Sequence, residues 1–312
     1  MKRTDETRSQ RRERRITAWG LSFTWLLVIG GMQLIVALIA IIKLLADAVA
    51  RSGQSVLQNQ TFLRQTLMQR YLSAAGWILI ISDIATVLIF LFIVKARHES
   101  FCQTVGLRRF KPLLVIALLM LGGGLSLILN SGSQLISTML PATATSSAGV
   151  LNQAFNQLFS SVPGILSIIV LAPIAEEITF RGMVFGTLKE KLALPVALIA
   201  QAVIFGVFHG NLSQGVMAFG LGCLLAWIYL RSNSILCTML VHFAFNGTSV
   251  LISLLTGNAS ASSPWLWMAL LVVAVALFIG GLLWQIHLTK KDSSPILPEQ
   301  ERLQPSSPDV SA

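Results

Sequence analysis

PGILSIIVLAPIAEEITFRGMVFGTL, residues 163–188, is an apolar run with three charges in its middle. A helix needs ~20 predominantly apolar residues to cross the hydrocarbon of a bilayer, and this run is long enough. The charges are Glu176, Glu177 and Arg181; no other charged residue lies between Lys111 and Lys189. Each charge at the centre of a spanning helix costs at least ~2.5 kcal/mol on the insertion scale, so three together require a reason. Glu177 and Arg181 stand four apart with the carboxylate toward the N-terminus, the favourable helical order for an ion pair. That pair accounts for two charges. Glu176 is turned ~100° away around the helix, with Phe180 at its own i+4 position, and needs polar partners from elsewhere in the chain. An ionisable residue left over inside a membrane helix marks a functional site.

The rest of the chain has the same character. Of 312 residues, 54% are hydrophobic and only 12% are charged. A soluble domain carries about twice that share of charge, ~25%. Seven further apolar runs cover 19–45, 74–94, 112–130, 194–208, 215–230, 235–255 and 264–288. The fold class is therefore an all-α polytopic membrane protein with about eight transmembrane helices. The runs at 194–208 and 215–230 are the shortest. The first run is longer than the ~7–15 apolar residues of a signal peptide and no small-residue cleavage site follows it, so it is expected to stay as a helix.

Orientation follows from the basic residues. The net charge is +10, and its Lys and Arg gather at residues 2–15, 95–111, 189–191, 231 and 290–291. These gaps alternate strictly with charge-poor ones, and the positive-inside rule puts them, with both termini, in the cytoplasm. Clustering in short gaps reads as membrane orientation and implies no nucleic-acid partner. Arg51, Arg64 and Arg70 make one outer gap mildly basic, whereas 131–162 carries no charge. Trp19, Trp77, Trp227, Trp265, Trp267 and Trp284 stand near the ends of runs, where amphipathic rings favour the interface. Cys102, Cys223 and Cys237 have neither disulfide nor metal-ligand spacing. Gly182 and Gly186 form a small-xxx-small pair suited to close helix approach. The Ser- and Pro-rich end cannot bury a core and is expected to be disordered. The organisation read from this is a basic cytoplasmic tail (1–15), three helices with their loops (16–162), a catalytic core of four helices (163–256), a last helix (257–289) and a disordered cytoplasmic tail (290–312).

Partners for Glu176 are present. His209 ends the fifth run in VIFGVFHGN, with Phe205 four residues before it to wall the imidazole. His242 and Asn246 lie four apart in LVHFAFN of the seventh run and share a helix face. His98 and His287 sit at run ends. Such a set suits water activation: Glu176 as general base, an imidazole holding the water, and a second imidazole with a carboxamide donating to an oxyanion. Glu176, His209 and His242 are equally candidates to hold a divalent metal such as zinc, whose bound water would be the nucleophile. Residues alone leave both forms open. By helical rise, Glu176 and His209 lie ~20 Å from the cytoplasmic ends of their runs but His242 only ~10 Å, so a helix is tilted or a boundary is displaced.

Glu176-Glu177-Ile-Thr-Phe-Arg181, Phe205-Gly-Val-Phe-His209 and His242-Phe-Ala-Phe-Asn246 resemble, in order and on successive runs, the EExxxR, FxxxH and HxxxN/D motifs of the CPBP family. These are the CAAX proteases and bacteriocin-processing enzymes, also called the Abi family. The resemblance runs from Ile165 to Val250. It implies an eight-helix intramembrane endopeptidase with Glu176 as catalytic carboxylate, Glu177 and Arg181 as its motif partners, and His209 as an aid to water activation. His242 and Asn246 would stabilise the oxyanion or complete the site. Members are described both as metalloproteases and as metal-independent glutamate proteases, so the resemblance fixes no cofactor. It implies a membrane-associated protein or peptide as substrate, and the positive-inside pattern and short loops suit a bacterial plasma membrane, where peptide maturation or bacteriocin self-immunity is expected ahead of trimming prenylated tails. Two other readings compete. One is a non-catalytic scaffold or immunity protein on the same fold. The other is a transporter with Glu176 and Asp83 as a proton relay, against which the chain shows no repeated halves.

Overall fold

The computed structural model describes residues 8–52, 60–137, 155–256 and 263–290. Within them the long elements are all helices, and no strand occurs among the described residues. They are α1 (Arg8–Ser52), α2 (Gln60–Ala96), α3 (Leu114–Ser137), α4 (Val162–Lys191), α5 (Leu194–Phe208), α6 (Leu212–Ser232), α7 (Ile235–Thr256) and α8 (Pro264–Lys290). The expected disordered tail from 291 onward, the first seven residues and most of the uncharged 131–162 stretch lie outside the described residues.

Each apolar run falls in its own helix, and several helices extend beyond their runs. Helix α2 begins at Gln60 because TFLRQTLMQRYL is rich in good helix formers even where it is polar. Among the described residues seven helices are long and apolar enough to cross a membrane; α5 is not. With 15 residues it reaches only about 22 Å, against a hydrocarbon thickness of ~30 Å. The eight expected spans are therefore seven and one short helix. What stops α5 is local: Gly210 turns the chain at φ +71°, and Asn211 accepts the Gln214 N–H at 2.9 Å to start α6. The same Asn211 donates to the His209 carbonyl at 3.2 Å, so the tip of this hairpin satisfies its own backbone.

Helix α4 lies at the centre. It packs against α1, α2, α5, α6 and α7, while α8 lies on α3 and α3 on α7. Lipid is left to the outer helices: Leu34, Ile35, Leu38, Ile39 and Ile42 on α1 and Val272 and Leu283 on α8 are exposed. Helices α5 and α6 approach closely at glycines. A Cβ on Gly206 would meet the Gly215 carbonyl at 2.6 Å, and one on Gly222 would meet Ala202 Cα at 3.1 Å. The pair expected to do this, Gly182 and Gly186, does not: Gly182 faces Val105 outside α4, and Gly186 has room around it. Trp267, grouped with the interfacial rings, is buried, while Trp19, Trp77, Trp265 and Trp284 are exposed.

The seventh run keeps its expected start, with α7 beginning at Ile235. Residues 101–108 fold beneath the α6–α7 corner, where Ile235 N–H donates to the Gly106 carbonyl at 2.9 Å and Ser234 Oγ to that of Arg108. Tyr229 adds a hydrogen bond from its hydroxyl to Val105 O at 3.3 Å. Ser234 and Ile235 are fully buried, so α7 starts inside the protein. Counting depth from residue 235 as though it stood in water underestimates it for His242.

Candidate active site

Helix α4 has a regular α segment, Ala172–Glu177, between two wider π-helical stretches, Ser167–Leu171 and Ile178–Phe185. Pro173 accounts for the first. A proline ring inside an α-helix clashes with the carbonyl four residues back, and widening the turn relieves this. The Ala172 N–H accordingly bonds to Ser167 O, five residues back. The extra rotation in such turns is what sets where Glu176 and Glu177 point.

Glu177 is the inner carboxylate and is fully buried. Its Oε1 accepts from Arg181 Nη1 at 2.8 Å and from His242 Nδ1 at 2.9 Å. A carboxylate held by a guanidinium only accepts, so Nδ1 of His242 carries a proton, and in the neutral ring Nε2 presents a lone pair. That nitrogen faces Glu176 Oε2 at 3.7 Å. The gap is too long for a direct hydrogen bond. Glu176 is the outer carboxylate, with 17% of its side chain exposed against none for Glu177. The adjacent acids thus divide: one holds the imidazole, the other faces outward.

Phe205 is the common wall. Its ring meets those of His209 at 4.9 Å and His242 at 6.0 Å, both edge-on, and the Arg181 guanidinium lies over it at 4.6 Å. Phe180 closes against it at 4.8 Å. His209 caps the end of α5 and bonds through Nδ1 to the Phe205 carbonyl at 2.8 Å. A carbonyl too only accepts, so its Nε2 is likewise left with a lone pair in the neutral ring. Asn246 donates from Nδ2 to Ile168 O at 2.8 Å. Glu176, Glu177, Arg181, His242 and Phe205 thus form one cluster, His209 joins it through Phe205, and Asn246 joins it through the backbone of α4.

One part, Gln201, was not foreseen; Asp83 was named beside Glu176 from the sequence. Gln201 on α5 is buried and donates to Gly222 O at 2.9 Å, the carbonyl that Arg181 Nη2 approaches at 3.5 Å. It ties α4, α5 and α6 at one atom. Its signal was an amide alone in an apolar run, the same signal as for the histidines. Asp83 on α2 is buried beside α4, where Ser167 Oγ donates to its Oδ2 at 3.4 Å, and it is within electrostatic range of Glu176. As for a metal, no three His, Cys, Asp or Glu side chains among the described residues gather so as to hold an ion. His242 and His209 each keep an Nε2 lone pair, but the two histidines and Glu176 are not gathered about one point. The donor set as arranged does not fit a metal centre, and no step below runs through one.

Comparison with known proteins falls on the same helices. Residues 158–248 match the family model described as type II CAAX prenyl endopeptidase Rce1-like. A stretch of 105 residues is 34% identical to a protein of Bacillus subtilis (strain 168) named "Putative membrane peptidase YdiL". That stretch is 33% of this chain, which thus spans about two fifths of the relative's length, 42%. No solved structure matches. The chain carries an Rce1-like segment, and all three motifs lie within it. With its seven long apolar helices it is a multi-pass integral membrane protein.

Proposed function

We propose that the protein is an intramembrane endopeptidase of the CAAX-protease type, with Glu176 as general base toward a hydrolytic water. The observation that carries this is the His242 ring between two carboxylates, bonded to Glu177 on one side and facing Glu176 on the other. Glu177, anchored by Arg181, fixes the tautomer and orientation of His242, as the buried aspartate does in a Ser-His-Asp triad. His242 Nε2 and Glu176 Oε2 then hold one water between them. Glu176 takes its proton as the oxygen bonds to the scissile carbonyl carbon. The same proton passes to the leaving nitrogen as the C–N bond breaks, giving a carboxylic acid and an amine. His209 Nε2 offers a second acceptor to orient the water or the substrate N–H.

The substrate class is a membrane-associated protein or peptide reaching the site from within the bilayer, in a bacterial plasma membrane with both termini in the cytoplasm. The core of the activity is 163–256, with α1–α3 and α8 as its casing. The test is Glu176→Gln beside Glu177→Gln in proteoliposomes. Removing the base is expected to lower turnover by ~10²–10⁴ at unchanged thermal stability. Glu177→Gln should lower stability as well, because it leaves Arg181 buried without its counter-charge. Equal behaviour of the two variants would overturn the division of roles.

A further inference from the structure

We infer that Asn246 is a positioning residue whose task is set by Pro173: it holds the one carbonyl of α4 that this proline orphans, and so fixes the turn that aims Glu176. The inference rests on the reading of Glu176 as the base. The wide turn at Ser167–Leu171 is bonded five residues back, as Ala172 N–H to Ser167 O shows. The next bond in that register would run from residue 173 to the Ile168 carbonyl. Residue 173 is proline and has no N–H to give. A carbonyl left bare inside a membrane protein is costly, so it must find another donor. It finds Asn246 Nδ2 at 2.8 Å, reaching across from α7. The neighbouring Ser167 is tied on the opposite side to Asp83 of α2. The wide turn is therefore gripped from two helices, just before the segment that carries both glutamates.

The same helix α7 carries His242 four residues before Asn246, and His242 reaches Glu177. One helix face thus both orients the imidazole and fixes the backbone of its carboxylate partners. The amide donor that an oxyanion would use is engaged with Ile168, which leaves the Asn246 nitrogen a single further N–H.

The test is a double-mutant cycle of Asn246→Ala with Pro173→Ala. The Pro173→Ala substitution restores an N–H, and in either the wide or the regular register the Ile168 carbonyl is then paired without Asn246. The cycle is read first as thermal midpoints in the Glu176→Gln protein, where turnover plays no part. Asn246→Ala is expected to lower the midpoint by roughly 2–10 °C with Pro173 present, and by less than half as much in the Pro173→Ala background. Equal drops in both backgrounds would overturn the pairing. Asn246→Leu serves as a second variant in the same cycle. The cycle is then read as kcat/KM with Glu176 intact. Asn246→Ala should cost at least ~10-fold with Pro173, and Pro173→Ala should recover most of it. Coupled midpoints with the same activity loss in both backgrounds would mean that Asn246 touches the reacting atoms, and would overturn its role as a positioning residue. Coupled midpoints with no turnover from wild-type protein would leave the backbone tie standing, and would refute both the protease reading and the positioning role that depends on it.

Discussion

Replacing Arg181 by methionine is expected to destabilise the protein far more than removing both members of its ion pair. Arg181 and Glu177 are fully buried, joined at 2.8 Å. Taking away the cation leaves a carboxylate in a medium of low polarity, held by His242 without its counter-charge. Breaking a buried pair in this way costs about 3–5 kcal/mol. Methionine keeps much of the volume, so little is added for a cavity. Loss of the guanidinium from the face of Phe205 contributes about 0.5–2 kcal/mol more. The Gly222 carbonyl is not stranded, because Gln201 still donates to it at 2.9 Å. In the double variant Arg181→Met/Glu177→Gln no charge is left unpaired, and the amide oxygen can still accept from His242. Its cost should be smaller than that of Arg181→Met alone, giving a coupling of at least about 2 kcal/mol. The assay is reversible unfolding in mixed micelles followed by tryptophan fluorescence for all four proteins. A loss below about 1 kcal/mol for Arg181→Met, or a double variant equal to the sum of the singles, would refute the reasoning, since buried partners must couple.

Other outcomes follow from the same geometry. Phe205→Ala removes the shared wall of both histidines and should cost about 3–5 kcal/mol of stability together with turnover; a stable, active variant would show that the imidazoles are held by their hydrogen bonds alone. Gly222→Leu should fail to fold or lose activity, because even a Cβ there meets Ala202 Cα at 3.1 Å and Phe205 Cδ1 at 3.3 Å, whereas Gly220→Leu, at a position with open space, should be tolerated; expression and melting of the two distinguish them. Turnover should survive removal of metals by a chelator, because no three His, Cys, Asp or Glu side chains among the described residues gather so as to hold an ion; loss restored by added zinc would show that the side chains rearrange into a metal site.

How legible this was in the sequence depends on the physics of each feature. The apolar runs located all eight helices, since bilayer thickness imposes a length that hydropathy reveals directly. The cost of an intramembrane charge singled out Glu176, Glu177 and Arg181, and the Glu177–Arg181 pair forms with the helical spacing expected. Phe205 does wall His209, as its spacing suggested, and also His242 and Arg181, which lie on other helices and could not be read from spacing. Full crossing by the fifth run could not be judged from apolarity, because Gly210 and Asn211 end α5 from outside it. The mismatch in depth of His242 did not mark a misplaced run, since α7 begins at Ile235 as read; its first residues are buried and tied to Gly106, more than a hundred residues away, which a count along the run does not reveal. Pro173 stood in the quoted stretch, but the wide turn before it was not read from the sequence, and the residue that supplies the missing donor depends on the packing of α7 against α4.

The central claim is that Glu176 directs hydrolysis of peptide bonds inside the membrane. Its most direct test is to incubate purified protein in liposomes, wild type beside Glu176→Gln, with a membrane-peptide library, and to read new termini by mass spectrometry. Defined products from the wild-type protein that vanish with Glu176→Gln are the expected result. Products that persist in the variant, or none from a folded wild-type protein across a broad library, would contradict it, and the latter would return the fold to the scaffold or immunity reading.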